Sequence, residues 1–146
     1  MSFSTAYDTL KTVIGSYFIE KTIIKNPYSL EDNINNNLND GWGLSIGAGS
    51  VLGEFSIQTS QVVERSFSIS LVRKYNDKAY DNASRVNKEK QIVADAFAII
   101  AHLKQSHEIK NLGSIDSISD SGVEFLLEHK FLTFTITFNL NYYERS

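Results

Sequence analysis

From Leu132 to Tyr142 every second residue is apolar: Leu132, Phe134, Ile136, Phe138, Leu140 and Tyr142. Between them stand Thr133, Thr135, Thr137, Asn139 and Asn141. Side chains of an extended chain point to alternate faces, so this stretch has one greasy face and one polar face. A helix would smear the same residues around its circumference. Thr, Ile and Phe also fit a pleated, half-buried surface. The stretch 131–143 therefore reads as a long strand of roughly a dozen residues, where about five or six is usual. One face of it must be roofed, and the rest of the chain has to supply the roof.

Two segments have the period for that. Phe3, Tyr7, Leu10, Ile14, Tyr17 and Phe18 recur at spacings of three and four, one face of a helix. Thr5 with Asp8 resembles a capping box. Pro27 disfavours helical geometry at Asn26, so the helix should run from Phe3 to about Lys25. A second helix is expected from Ser84 to His107. Val86, Val93, Phe97 and Ile100 form one stripe there, widened by Ile92, Ala96, Ile99 and Leu103. Asn111 and Gly113 are its stop signals.

The remaining segments read as strands and connections. Trp42, Leu44 and Ile46 alternate with small residues, then Gly47, Gly49 and Gly53 follow, and Phe55 and Ile57 resume the alternation. The expected arrangement is a hairpin with a glycine-rich tip. Val63, Phe67, Ile69 and Leu71 oppose Ser66, Ser68 and Ser70 in a second long strand ending at Arg73-Lys74-Tyr75. Ile115 and Ile118 are oddly spaced, which predicts a kink or bulge. Ser119-Asp120-Ser121-Gly122 reads as a turn, followed by a strand over Val123, Phe125 and Leu127. The Asn-rich run from Ser29 to Asp40 reads as a surface connection. The expected fold is a single α+β domain over 1–146, with a mainly antiparallel sheet of about five strands packed against two main helices.

Chemistry is hard to find in this chain. A length of 146 residues suits one domain, and 42% hydrophobic against 21% charged residues allows a core. The net charge of −3 argues against a dedicated nucleic-acid binder, which usually carries a basic face. With no Cys there is no thiol nucleophile, disulfide or thiolate metal site. His102 and His107, five apart on a helix, diverge by more than a right angle, whereas metal-binding pairs share a face. Gly47-Ala48-Gly49 precedes a strand rather than a helix and lacks the Gly-Lys-Ser/Thr ending of a phosphate loop. No Gly-x-Ser-x-Gly occurs, and Asp116, Asp120, Glu124 and Glu128 do not form a paired-carboxylate site in strand and turn context. No apolar run reaches the roughly 20 residues of a membrane span, and Met1 to Leu10 lacks the features of a signal peptide. The expectation is a protein made and used without export, not an enzyme, with no cofactor and no metal.

One charge pattern points outward. Arg73, Lys74, Lys78, Arg85, Lys88 and Lys90 outnumber the acids around them, while 116–128 holds four acids and no base. Opposed patches suit head-to-tail assembly of identical copies. Long alternating strands also leave sheet edges that a soluble protein must cap or pair.

The layout resembles the tail terminator and tail completion proteins of long-tailed bacteriophages. The resemblance lies in the order of elements: the helix from Phe3 that stops at Asn26-Pro27, the hairpin Gly47–Gly53 leading to Arg73-Lys74, the long helix Ser84–His107, and the closing strand Phe131 to Phe138 with terminal Tyr142-Tyr143-Glu144. It implies a virion structural protein of the tail and neck, made in the host cytoplasm. Such a protein forms a homo-oligomeric ring, typically a hexamer, that caps the tail tube protein and meets the head–tail connector or stopper. DNA would pass through the ring without sequence-specific recognition. Within that frame the expected interface residues are Gly47, Gly49, Val51, Leu52 and Gly53 as an adaptable loop, with Arg73, Lys74 and Tyr75 facing Glu124 and Glu128 of a neighbour. A head-completion or neck connector of similar shape is the alternative, and a small-ligand or catalytic α+β domain a further one. The last would require a concave pocket with converging polar groups.

Overall fold

The computed structural model describes residues 3–20, 40–54, 60–74, 82–126 and 131–145. It is an α+β fold with an antiparallel sheet and helices on one side. In chain order the elements are α1 (Phe3–Glu20), β1 (Asp40–Glu54), β2 (Ser60–Lys74), α2 (Asn82–Gln105), α3 (His107–Leu112), β3 (Gly113–Asp120), β4 (Glu124–Leu126) and β5 (Phe131–Arg145). The sheet is four strands wide in the order β1-β2-β5-β3, and β4 pairs with β5 beyond the end of β3. The expectation of about five strands and two main helices is thus close but not exact: a third, six-residue helix is present, and two strand segments share one edge.

The alternation in β5 has the anticipated result. Leu132, Phe134, Ile136, Phe138, Leu140 and Tyr142 are all buried. Register places Phe67 opposite Phe138, Ile69 opposite Ile136 and Leu71 opposite Phe134. The Phe67 and Phe138 rings stack with centroids 6.0 Å apart. Ala6, Leu10, Ile14 and Phe18 of α1 close over this face, and Ile92, Ala96, Ile99 and Leu103 of α2 complete it. Burying each of these large side chains contributes about 1.5–3 kcal/mol before entropy is counted.

Of the stripe on α2 expected to lead, Ile100 is buried and Val93 packs against the core, but the other half does not turn inward. Val86 and Phe97 are exposed at 39% and 43%, while the widening set Ile92, Ala96, Ile99 and Leu103 carries the burial. The helix also stops earlier. Ser106 is extended (φ −66, ψ 129) and opens α3. A helix continued at period 3.6 would turn His107 and Lys110 toward the core. Breaking it at Ser106 brings in Ile109 and Leu112 instead, both buried. At the other end α1 begins by Phe3, so Thr5 lies inside the helix and does not cap it. Lys21 to Asn39 lies outside the described residues.

The glycine-rich segment is not a hairpin tip. Gly47, Gly49 and Gly53 lie within β1, which pairs with β2 along its length, with register shifts between Ile46 and Gly49 and between Val51 and Gly53. Arg65 accounts for this. It sits on the helix-facing side of β2, and its Nη1 donates to the Gly47 carbonyl at 3.2 Å. A Cβ at Gly49 would stand 2.7 Å from the Arg65 Cζ. Gly49 makes room for this large side chain, Gly47 lies close against Ser66, and the strand bulges between Ile46 and Gly49. Phe55 and Ile57 fall outside the described residues.

The predicted irregularity near Ile115 is a bulge between Asp116 and Ser119, with Ser117 at φ 53. The predicted turn at Ser119–Gly122 does not reverse the chain. Asp120 pairs with Ile136, and Glu124 resumes with Thr133, so β3 and β4 follow one line along β5. Gly122, at φ 75, takes the left-handed conformation that this interruption requires. Its local ties are a Gly122 N–H to the Asp120 carboxylate at 2.9 Å and a Thr135 N–H to the Ser121 hydroxyl at 3.1 Å.

Candidate functional site

The helices cover one side of the sheet, and no described element covers the other. Register aligns its residues in rows across the strands. One row runs Ser45, Ser68, Thr137, Ser119. Another runs Gly43, Ser70, Thr135, and further along stand Ser66, Asn139 and Asp116, then Ser50, Glu64, Asn141 and Ser114. The hydroxyls bond to one another: Ser68 to Thr137 at 2.9 Å and Ser70 to Thr135 at 3.1 Å. Asn139 donates to Glu64 at 2.6 Å, and Asn141 donates to Asp116 at 3.0 Å. The next row is Gly41, Val72, Thr133, Glu124, in which Val72 and Gly41 are buried, and beyond it the register continues on this face with Lys74, Phe131 and Leu126. Apart from Val72, the rows from Ser50 to Gly41 contain acids, hydroxyls, amides and glycines, while Lys74 and Arg145 take register positions at the two ends of the same face. The polar face seen in the sequence is therefore a broad surface whose acids lie between basic register positions at its two ends.

The opposite side of the molecule has a second exposed surface. Lys90, Ala94, Phe97, Ala101 and Lys104 of α2 recur at spacings of four and three, and all are exposed. They form one stripe on the side turned away from the sheet. An aromatic ring flanked by two alanines occupies its centre, with a lysine near each end.

A groove of about 610 Å³ separates α1 from the α2–α3 junction. Thr5, Thr9, Thr12 and Ser16 line it from α1, and His102, Ser106 and Glu108 face them. The Tyr17 and His102 rings stack across it with centroids 4.3 Å apart. The Ser106 hydroxyl donates to the Glu108 carboxylate at 2.9 Å. Glu108 is held below the ordinary carboxylate value by a hydrogen bond with its own backbone N–H, by that Ser106 bond, and by the nearby His107 and His102. Those first two contacts belong to the start of α3, so the shift has a local structural cause. Among the described residues no group of three or more His, Cys, Asp or Glu is placed to hold a metal ion. No described helix is long and apolar enough to cross a membrane.

The residues expected at an interface are scattered. Gly47 and Gly49 lie beside Arg65 in β1, an edge strand, and Val51, Leu52 and Gly53 continue along it. Arg73 faces the helices and makes an ion pair with Asp95 of α2. Lys74 ends β2 opposite Phe131. Glu124 is exposed at the start of β4, on the open side with Thr133. Tyr75 and Glu128 lie outside the described residues. Arg73 and Glu124 thus occupy opposite faces of the sheet near the same end, and the Arg73 charge is engaged within the subunit. Sequence reasoning missed the α2 stripe because Phe97 and Val86 were assigned inward. Its signal was the regular spacing of Lys90, Ala94, Ala101 and Lys104.

The chain matches no protein-family model and no curated protein sequence.

Proposed function

We propose that this chain is a structural protein of a phage tail, a tail terminator that closes into a ring on the end of the tail tube and offers the head connector a different face. The observation that supports the proposal is a sheet that the described helices roof on one side, with no described element over the other, and with β1 at one edge and β3 and β4 at the other. Sheet edges with unpaired backbone groups favour neighbours. The order helix, hairpin, long helix and closing strand supports the same reading by its resemblance to that group. A ring, taken here as a hexamer, would act by geometry and not by chemistry: it ends polymerisation by covering the last tube subunits.

Negative-stain microscopy and sedimentation velocity of the purified protein, alone and with tail tubes, test this. Rings seated on tube ends are expected. Binding to portal-bearing heads but not to tubes would move the assignment to a neck or head-completion connector. A protein that stays monomeric and bare of both would overturn the proposal.

The groove between α1 and the α2–α3 junction favours one competing reading, a domain that binds a small polar ligand. Its hydroxyls and the Glu108 carboxylate are the recognising groups. Chemical-shift changes confined to Thr9, Thr12 and His102 on titration with a polyol or an amine would support that reading over assembly.

A further inference from the structure

We infer that neighbouring copies meet head to tail, with the exposed stripe of α2 in one copy laid across the open sheet face of the next. This rests on the ring reading and names the contact that builds it.

The two surfaces lie on opposite sides of one molecule, since α2 packs on the apolar face of the sheet. A contact between unlike surfaces does not pair off two copies. It repeats, and closes into a ring when the rotation per copy permits. A face-to-face contact between like surfaces would stop at a dimer. It would also set the rows that hold Glu64, Asp116 and Glu124, or two lysine-bearing helices, against their own kind.

Charge and spacing fit the unlike pairing. Lys90 and Lys104 are fourteen residues apart, which at the helical rise is about 21 Å. On the open face Glu124 stands in the row of Thr133, and Asp116 and Glu64 stand in the rows of Asn139 and Asn141. That separation is six to eight residues along β5, roughly 20–27 Å at the rise of a strand. A helix lying along the strands would bring a lysine near the acids at each end. Between them, Ala94, Phe97 and Ala101 would lie over Thr135, Thr137 and Ser68. Alanines allow close approach, and the threonine methyls give the Phe97 ring something to pack on. An exposed aromatic ring between two alanines, with a lysine toward each end of the stripe, can anchor a contact once water is excluded from it. Such an interface is as polar as the surface of an ordinary protein, which suits subunits that first exist apart. The Arg73 side chain, held by Asp95, is not required.

The absence of cysteine makes the test direct. One cysteine is placed on each surface, Ala94→Cys and Ser119→Cys, singly and together. The variants are treated with a short bismaleimide and run on a denaturing gel. The double variant should give a ladder of oligomers ending at the ring size, and each single variant should run as a monomer. A dimer from either single variant would mean a contact between like surfaces and would overturn the inference. So would a double variant without a ladder. If sedimentation still shows a ring in that case, the ring reading survives and this contact alone fails; if wild type is monomeric with and without tubes, both fail. In parallel, Lys90→Glu with Lys104→Glu should weaken assembly at least tenfold at low salt, and adding Glu64→Lys with Asp116→Lys should restore it. Urea unfolding of each variant separates lost assembly from lost folding, and weakened assembly that the swap leaves unrestored would count against the pairing.

Discussion

Arg73, on the helix-facing side of β2, forms an ion pair with Asp95 on α2. Their side chains are only 13% and 16% exposed, so the pair sits largely out of water at the seam between sheet and helix. Removing one partner strands the other charge. Asp95→Ala should cost about 3 kcal/mol, near the lower end for a broken buried pair. Replacing both partners, Arg73→Met with Asp95→Leu, removes the stranded charge and should cost less than Asp95→Ala alone. Urea denaturation of Asp95→Ala, of Arg73→Met alone and of the double variant checks this. A double variant worse than both singles would mean the pair specifies how α2 docks, not merely that it does.

Gly113 joins α3 to β3 at a close crossing. A Cβ there would come within 1.8 Å of the Asn141 backbone carbonyl oxygen. That oxygen belongs to the central strand and cannot yield as a side-chain tip can. Its φ of 167 is ordinary extended backbone, so the constraint is space alone. Gly113→Ala should therefore destabilise by about 1–3 kcal/mol or more through overpacking. The loss should be local first: amide protection of β3 should fall before that of β2.

Phe97 and Phe138 separate folding from assembly. Phe138 is fully buried against Phe67, and Phe97 is 43% exposed. Phe138→Ala should cost about 3–5 kcal/mol. Phe97→Ala should change folding stability by no more than about 0.5 kcal/mol, the range of ordinary surface changes. Thermal unfolding of both proteins at monomer concentration gives the comparison. A large loss in Phe97→Ala would show that its ring packs within the subunit.

How much was legible follows from what each signal depends on. The inward face of β5 was readable because period two over so many residues has no competing interpretation. The bulge near Ile115 was readable because Ile115 and Ile118 break that period. The α2 face was placed correctly for Val93, Ile100 and the set around Ile99 but not for Val86 and Phe97, because the apolar residues spread over more of the helix than the sheet covers. Ser106 carried a usable sign, a serine able to open a new helix, but the apolar residues ran past it. Gly47 and Gly49 looked like a tip because the residues they make room for, Ser66 and Arg65, lie on another strand. Ser119–Gly122 looked like a reversal because its partner in both directions, β5, comes later in the chain. Of the expected interface residues, Glu124 reached the open face and Arg73 did not. Nothing local in the sequence reveals that Asp95 would capture Arg73.

Glu108 gives a pH prediction with a definite sign. Its carboxyl lies below the ordinary 4.5, chiefly through a hydrogen bond with its own backbone N–H and then through Ser106. A depressed value in the folded state means that ionised Glu108 favours folding. The contribution is complete above about 4.5 and is lost as pH falls through the lower folded value. The group is fully exposed, so the effect on stability is small and titration is the better readout. NMR titration should place Glu108 below 4.5 in wild type and move it upward in Ser106→Ala. An unmoved value would remove Ser106 from the causes and leave the backbone contact with His107 and His102.

The hydroxyl pairs on the open face are the last point of test. Ser68 with Thr137, and Ser70 with Thr135, are cross-strand neighbours joined side chain to side chain. Pairs of this kind contribute roughly 0.2–1 kcal/mol each. Ser68→Ala with Thr137→Val should therefore show a small coupling in a double-mutant cycle, and Ser70→Ala with Thr135→Val a similar one. The members are only half-buried, so water can replace a lost partner and neither single change should cost more than about 1 kcal/mol. Run at concentrations where copies associate, the same cycle has a second use. If α2 of a neighbour covers this face, water is excluded and an unpaired hydroxyl becomes more costly there. The coupling measured in the assembly should then exceed that in the isolated subunit, and equal couplings in both states would place the neighbour elsewhere.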